Sequence, residues 1–300
     1  MLSETLAIAF VCLAIPLAFA AGQLLIKFKS KLGWLSYSLS TFLLTFFIFL
    51  DLFWPWVGMH SRYVILFLSL AAPAYMYFKK IRKLKLMPDG KKQRMLAAAG
   101  FLAAAGFLFL SIHAFSAYFY PADAKTISLE FPLRNGAYYV SQGGSNNQLN
   151  MHFARLQKYA YDILALDALG FRANGIDSQN REDYYIYRQK IFSPCSGRIL
   201  EANNNAQDMP LGEKNSVDFN GNYVVVECEG ARVLMAHFLH GSVLVTENDF
   251  VTAGQELGLI GNSGNTLEPH LHISADDGAG NPVVIVFDGK TLARNSVVVK

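Results

Sequence analysis

Four long apolar runs dominate the first 120 residues, at 6–26, 35–57, 63–78 and 96–120. A helix rises about 1.5 Å per residue, so about 20 apolar residues cross a hydrocarbon layer about 30 Å thick. The pattern predicts four transmembrane helices, the third somewhat short. Trp54, Pro55 and Trp56 close the second run and fit an interfacial aromatic belt. From Lys125 onward the pattern changes to short apolar or alternating runs separated by Gly, Asn, Asp and Pro. Examples are 223–227, 232–237 and 257–260. Period-2 alternation broken every few residues by turn formers predicts many short strands and no long helix, an all-β domain. The expected organisation is a membrane domain over 1–120 and an all-β domain over 121–300. The polar, tyrosine-bearing stretch from Gly170 to Lys190 reads as an insertion loop rimming that domain.

Composition agrees with a membrane protein, since 52% of residues are hydrophobic and only 16% are charged. The charge is divided by position. Residues 1–117 carry 12 Lys and Arg against 3 Asp and Glu, and the remainder carries 14 against 20, so a basic half precedes an acidic one. All but one of these positive residues sit in two loops, Lys27, Lys29 and Lys31, and a run of eight between Lys79 and Arg94; the connection between the second and third runs has only Arg62. Positive loops stay cytoplasmic. With four spans both loops fall on one side, which places the N-terminus and everything after Tyr120 outside. The basic charge is thus read as membrane topology, with no nucleic-acid partner. The first run could also be a cleavable signal, because Ala18-Phe19-Ala20 resembles a cleavage site, but Glu4 and the lack of a preceding positive charge are the wrong flank for one. Asp51 and His113 fall near the outer ends of spans and His60 in a short outer loop, where all three can reach water.

Five of the seven histidines lie in the outer part, at His152, His237, His240, His270 and His272. The stretch 261–272 reads as a strand end, a Gly-Asn-Ser-Gly turn and a second strand carrying His-Leu-His. Side chains alternate along a strand, so His270 and His272 share a face. Either they are surface residues, or a metal offsets the cost of burying two imidazoles side by side. His237 falls in a run with Val233 and Met235 on its face. Asp162 lies in the apolar run 159–166 and needs a partner, a cation or a metal. His240 reads as a surface residue. Cys195 and Cys228 are the two cysteines of the outer part; outside the cytoplasm an even pair reads as a disulfide. Cys12, inside the first run, reads as a small apolar residue.

Taken together, 221–226, Ala236-His237-Phe238, Gly254-Gln255-Glu256-Leu257-Gly258, Gly261-Asn262-Ser263-Gly264 and Pro269-His270-Leu271-His272 resemble the lysostaphin-type, LytM-like zinc metallopeptidases over roughly 140–290. The 193–199 turn fits the same family. The resemblance implies a lysostaphin-like antiparallel sheet and a zinc ion. His272 and Asp162 would be ligands, and His237 and His270 would flank the metal-bound water as catalytic groups. One position departs. The family places its first ligand histidine four residues before the aspartate, and there this chain has Lys158, whose ammonium cannot ligate. The nearest upstream histidine is His152, ten residues before Asp162, and it is assigned as the third ligand. The implied function is that of a membrane-anchored zinc endopeptidase. Its partners would be the lipid bilayer and the peptide stems or cross-links of bacterial peptidoglycan, on the periplasmic side of the inner membrane. The alternative is a non-catalytic module of the same fold that binds or activates cell-wall hydrolases.

Overall fold

The computed structural model of the chain describes residues 2–153, 157–176, 178–215 and 217–300, with side chains from residue 6 onward. The side chain of Glu4 lies outside the described residues. The backbone divides into two compact units, Leu2–Phe115 and Ser116–Lys300.

The first unit is helical. Its helices are α1 (Leu2–Ala9), α2 (Ile15–Leu25), α3 (Lys31–Asp51), α4 (Ser61–Lys79) and α5 (Lys91–Ser116). A π-helical turn, Phe10–Ala14, joins α1 to α2. It lies directly before Pro16, which has no N–H to give the preceding turn, so a widened turn is accommodated there. Ser30 caps α3, its Oγ accepting from the Gly33 amide at 3.1 Å. Helix α3 ends at Asp51 and not at 57, because Pro55 disfavours helical backbone ahead of it and the chain makes a 3₁₀ turn at Trp54–Trp56.

Among the described residues three stretches are long and apolar enough to cross a membrane: Leu6–Leu25, Lys31–Asp51 and Lys91–Ser116. The third of the four expected spans forms as α4 but is not among them. Its 19 residues include Arg62, Lys79, two serines and Pro73. The Arg62 guanidinium lies over the rings of Phe49 and Tyr63, 4.8 and 4.7 Å from their centroids, so that charge is sheltered by aromatic faces.

The second unit is mostly antiparallel sheet. Its strands are β1 (Thr126–Leu129), β2 (Ala137–Gln142), β3 (Tyr161–Leu166), β4 (Lys190–Phe192), β5 (Gly197–Asn203) and β6 (Asn222–Cys228), then β7 (Ala231–Phe238), β8 (Phe250–Val251), β9 (Glu256–Leu259), β10 (Leu271–Asp276), β11 (Pro282–Phe287) and β12 (Val297–Val299). The main sheet runs β12-β2-β3-β10-β7-β6-β5-β8, with β11 on β10 and β1 on β11, and β4 and β9 form a separate pair. The β1–β11 pairing is parallel, which departs from the wholly antiparallel expectation. The chain as a whole is therefore a helical region followed by a sheet region. One sheet face carries the core, with Tyr161, Ile163, Val224, Val226, Val233, Met235, Leu271 and Ile273 all buried.

The 170–190 stretch is more than a rim. Tyr184 and Ile186 are buried, and Ala173 bridges to Tyr184. Its polar letters obscured the two inward residues. Cys195 and Cys228 form a disulfide that ties the start of β5 to the end of β6. Closing a loop of 33 residues removes denatured-state entropy equivalent to about 3.7 kcal/mol on the chain-entropy account. Replacing both cysteines by serine is expected to lower the denaturation midpoint of the outer unit. An unchanged melt would show that the bond contributes nothing to stability.

Candidate metal centre

Strand register brings the chemistry together. β10 lies between β3 and β7, with His272 directly opposite Asp162 on one side and Ala236 on the other. The neighbours Leu271 and Ile273 point into the core, so His272 and Asp162 share the opposite face. His272 Nδ1 lies 2.8 Å from Asp162 Oδ1, and His152 Nε2 lies 3.0 Å from Oδ2. The ligand-type atoms of His152, Asp162 and His272 all lie within 4.8 Å of one another. Lys158, at the place where the family has a histidine, sits over the rings of Phe153 and Tyr159, at 4.6 and 5.2 Å.

His237 reaches this group by a device that period-2 reasoning missed. In a regular strand it would follow Val233 and Met235 into the core. Instead the β6–β7 register slips at this point, with Asn222 opposite Phe238 and Tyr223 opposite Ala236, so His237 is the extra residue of a β-bulge. Its φ is 68°, a left-handed backbone that is uncommon outside glycine. The bulge turns its ring toward His270, 4.6 Å away between centroids, and toward His272 at 5.9 Å. Strain of this kind persists only where the surroundings hold it, and here they do. The His237 amide donates to the Asn220 carbonyl, and its Nδ1 lies 2.8 Å from the Ser263 carbonyl. Ser263 is fully buried; its Oγ donates to the Phe238 carbonyl at 2.7 Å and accepts from the Asn222 amide at 2.9 Å.

His270 is oriented in the same manner. Its Nδ1 lies 2.8 Å from the Glu268 carbonyl and 3.1 Å from Thr266 Oγ1, and its Nε2 lies 3.7 Å from Asp162 Oδ1. A carbonyl oxygen only accepts, so the rings of His237 and His270 carry a proton on Nδ1, and whenever the ring is neutral its lone pair is on Nε2. His240 is exposed, with Nδ1 3.1 Å from the Ala206 carbonyl, and stands apart from the group.

Electrostatics follow from burial and proximity. Burial pushes the Asp162 carboxyl up, but the charges of His152 and His270 and hydrogen bonds from His152 and His272 outweigh it and hold the group well below its ordinary value. Burial pushes His237 well below the usual imidazole range, with His270 and His272 adding to the effect. His272 is likewise lowered, chiefly by burial, against an opposing hydrogen bond to Asp162. The histidines on the sheet are thus held neutral and the carboxylate ionised, the protonation states in which each can bind a cation.

Do these residues fit a metal? His272 Nε2 is buried and without a hydrogen-bonding partner, an arrangement that costs about 1–3 kcal/mol in an apometal site. Two imidazoles and one carboxylate form a donor set of the kind zinc takes, whereas calcium and magnesium favour oxygen alone. The set fits zinc, and His152, Asp162 and His272 could hold it.

Residues 173–287 match the model of Peptidase family M23. No curated protein matches the chain. Among solved structures, a zinc-containing peptidase from Vibrio cholerae is similar at 16% identity and a TM-score of 0.33, over 53% of this chain and 39% of that one. A peptidase M23 structure from Pseudomonas aeruginosa gives 18% and 0.32, over 57% and 55%. The lysostaphin catalytic domain from Staphylococcus simulans gives 19% and 0.24, over 42% and 85%. The chain thus spans 39% and 55% of the lengths of the first two. The C-terminal region thus carries the match to peptidase family M23, over residues 173–287. His152 and Asp162 lie upstream of the matched residues.

The turn that aims His237 depends on two glycines. A Cβ on Gly221 (φ 60°) would lie 2.4 Å from the Ser263 carbonyl carbon, and one on Gly264 (φ 87°) 2.5 Å from the Gly221 amide nitrogen. Backbone cannot yield as a flexible side chain can. Gly221→Ala is expected to destabilise the outer unit by at least about 1–3 kcal/mol, the strain of the wrong φ alone. A melt unchanged by Gly221→Ala would contradict this close approach.

Proposed function

We propose that the chain is a membrane-anchored zinc metalloendopeptidase that hydrolyses peptide cross-links of bacterial peptidoglycan. The observation that carries the reading is the convergence of His152, Asp162 and His272 beside two histidines that, when neutral, have their lone pair on Nε2. His152, Asp162 and His272 are assigned as metal ligands, and His237 and His270 as catalytic residues. When bound, zinc supplies Lewis acidity toward the scissile carbonyl and makes an attacking water more acidic.

The chain's own residues do the rest. His237 and His270, fixed by the Ser263 and Glu268 carbonyls, can each accept a proton from water at Nε2. Burial keeps His237 in the accepting form at neutral pH. Once protonated, either ring can donate from Nε2 to the developing oxyanion or to the leaving amine. Asp162 compensates the positive charge that gathers among the imidazoles. The match to family M23, together with the resemblance to lysostaphin-type peptidases, supports this choice of substrate.

Topology supports an extracytoplasmic site. If α4 did not cross, the eight-residue positive cluster and the first basic loop would lie on opposite sides, against the positive-inside tendency. In the helical unit the two basic segments are hydrogen-bonded to each other, Lys31 N to Lys85 O at 2.9 Å and Leu32 N to Leu86 O at 3.1 Å. Helix α4 packs against α2 and α3. It therefore returns the chain to the level at which α3 began, which supports α4 as a fourth span. The disulfide also suits an oxidising compartment.

Two experiments test the proposal. His237→Ala and His270→Ala are expected to keep zinc and to lose about two or more orders of magnitude in turnover of a peptidoglycan cross-link peptide. Loss of zinc in either would reassign that residue as a ligand. If wild type holds zinc and cleaves nothing, yet activates a separate cell-wall hydrolase, the module is regulatory. A reporter fused after Lys300 is expected to be active only outside the cytoplasm, and one inserted at Asp89 only inside; the reverse pattern would refute the four-span arrangement.

A further inference from the structure

The ten-residue interval between His152 and Asp162 raises a physical problem. A ligand carried on a loop must be ordered before it binds, and ordering costs backbone entropy. Two buried polar residues hold the backbone at Met151 and His152 in the folded chain. Asn150 is fully buried. Its Nδ2 donates toward the Gly144 carbonyl at 3.1 Å and toward those of Lys158 and Ala160 at 3.2 Å each, tying the outgoing limb of the loop to its return. Its Oδ1 accepts from the His152 amide at 3.0 Å.

Gln142 completes the tie from the sheet. It ends β2 and is paired with Asp162 across the β2–β3 ladder. Its Oε1 accepts from the Met151 amide at 3.0 Å and from Arg294 Nη2 at 2.9 Å. Arg294 is itself buried and donates from Nε to the Ser141 carbonyl at 2.9 Å. Thus the Met151 and His152 amides are both taken by side chains, one from Gln142 at the end of β2 and one from Asn150 in the loop, and Gln142 is level with the carboxylate that His152 must meet.

We propose that Asn150 and Gln142 are positioning residues that pre-order the His152 loop for metal binding, doing for the long interval what strand continuity would do for a short one. The inference rests on His152 being a zinc ligand. Residues that orient a ligand typically set metal affinity by 10–100-fold, which separates this role from a purely structural one.

The test is zinc affinity of the full-length chain, measured by chelator competition, with the melting midpoint of the metal-free chain as a check on folding. Gln142→Met, of similar shape but without Oε1, is expected to weaken zinc by about tenfold or more with little change in the metal-free melt. Gln142→Glu, which keeps an acceptor for Met151 and Arg294, is expected to stay near wild type. Asn150→Ala is expected to weaken zinc at least as much as Gln142→Met. If folded Gln142→Met binds zinc as tightly as wild type, the inference is overturned, whatever Asn150→Ala does. If wild type itself holds no zinc, the metal reading falls first, and this inference with it.

Discussion

The contact on which the site depends is the cross-strand pair of Asp162 and His272. β10 is the hinge of the arrangement because it pairs with β3 on one side and β7 on the other. A one-residue slip of either ladder would turn a member of the pair into the core. The apolar residues that alternate with them, Tyr161 and Ile163 on β3 and Leu271 and Ile273 on β10, are buried in the core and hold the register. Hydrophobic burial on one face thus fixes the position of polar chemistry on the other. An isolated buried carboxylate among apolar strands would be unfavourable. Among three imidazoles it becomes the charge around which a cation site is organised.

The two pairs of histidines are held by different means. His270 and His237 are oriented by carbonyls of the 261–268 turn, which costs the site no additional charge. His272 is set by its strand, and His152 by its loop. The bulge at His237 shows why a strained residue is tolerated: its backbone and ring are both held by the same turn, through Asn220 and Ser263. Gly221 and Gly264 face each other with no room for a side chain, so the turn and the bulge form one rigid piece.

Much of this was legible in the sequence. Strand positions, the shared face of His270 and His272, and the disulfide partners followed from alternation and compartment. Asp162 and His272 were pointed to by resemblance and His152 only by being the nearest upstream histidine; the structure brings the three side chains together. What was not legible has physical causes. His237 was placed on the Val233 and Met235 face because a bulge inserts one residue and inverts the alternation, and no glycine marked it. The inward Tyr184 and Ile186 were hidden in a polar stretch. Helix α4 begins two residues before the apolar run and takes in Arg62, which with Pro73 dilutes its apolar character. Asn150 and Gln142 carried no motif; only the fold shows that they reach the amides next to His152.

The central claim is that the chain replaces the usual short-interval histidine with His152. The most direct measurement is zinc content of the purified full-length chain, by elemental analysis, for wild type and His152→Ala. The account predicts about one zinc per wild-type chain, in keeping with a single three-ligand site, and a substantial loss of zinc in the variant. Full occupancy in His152→Ala would contradict it.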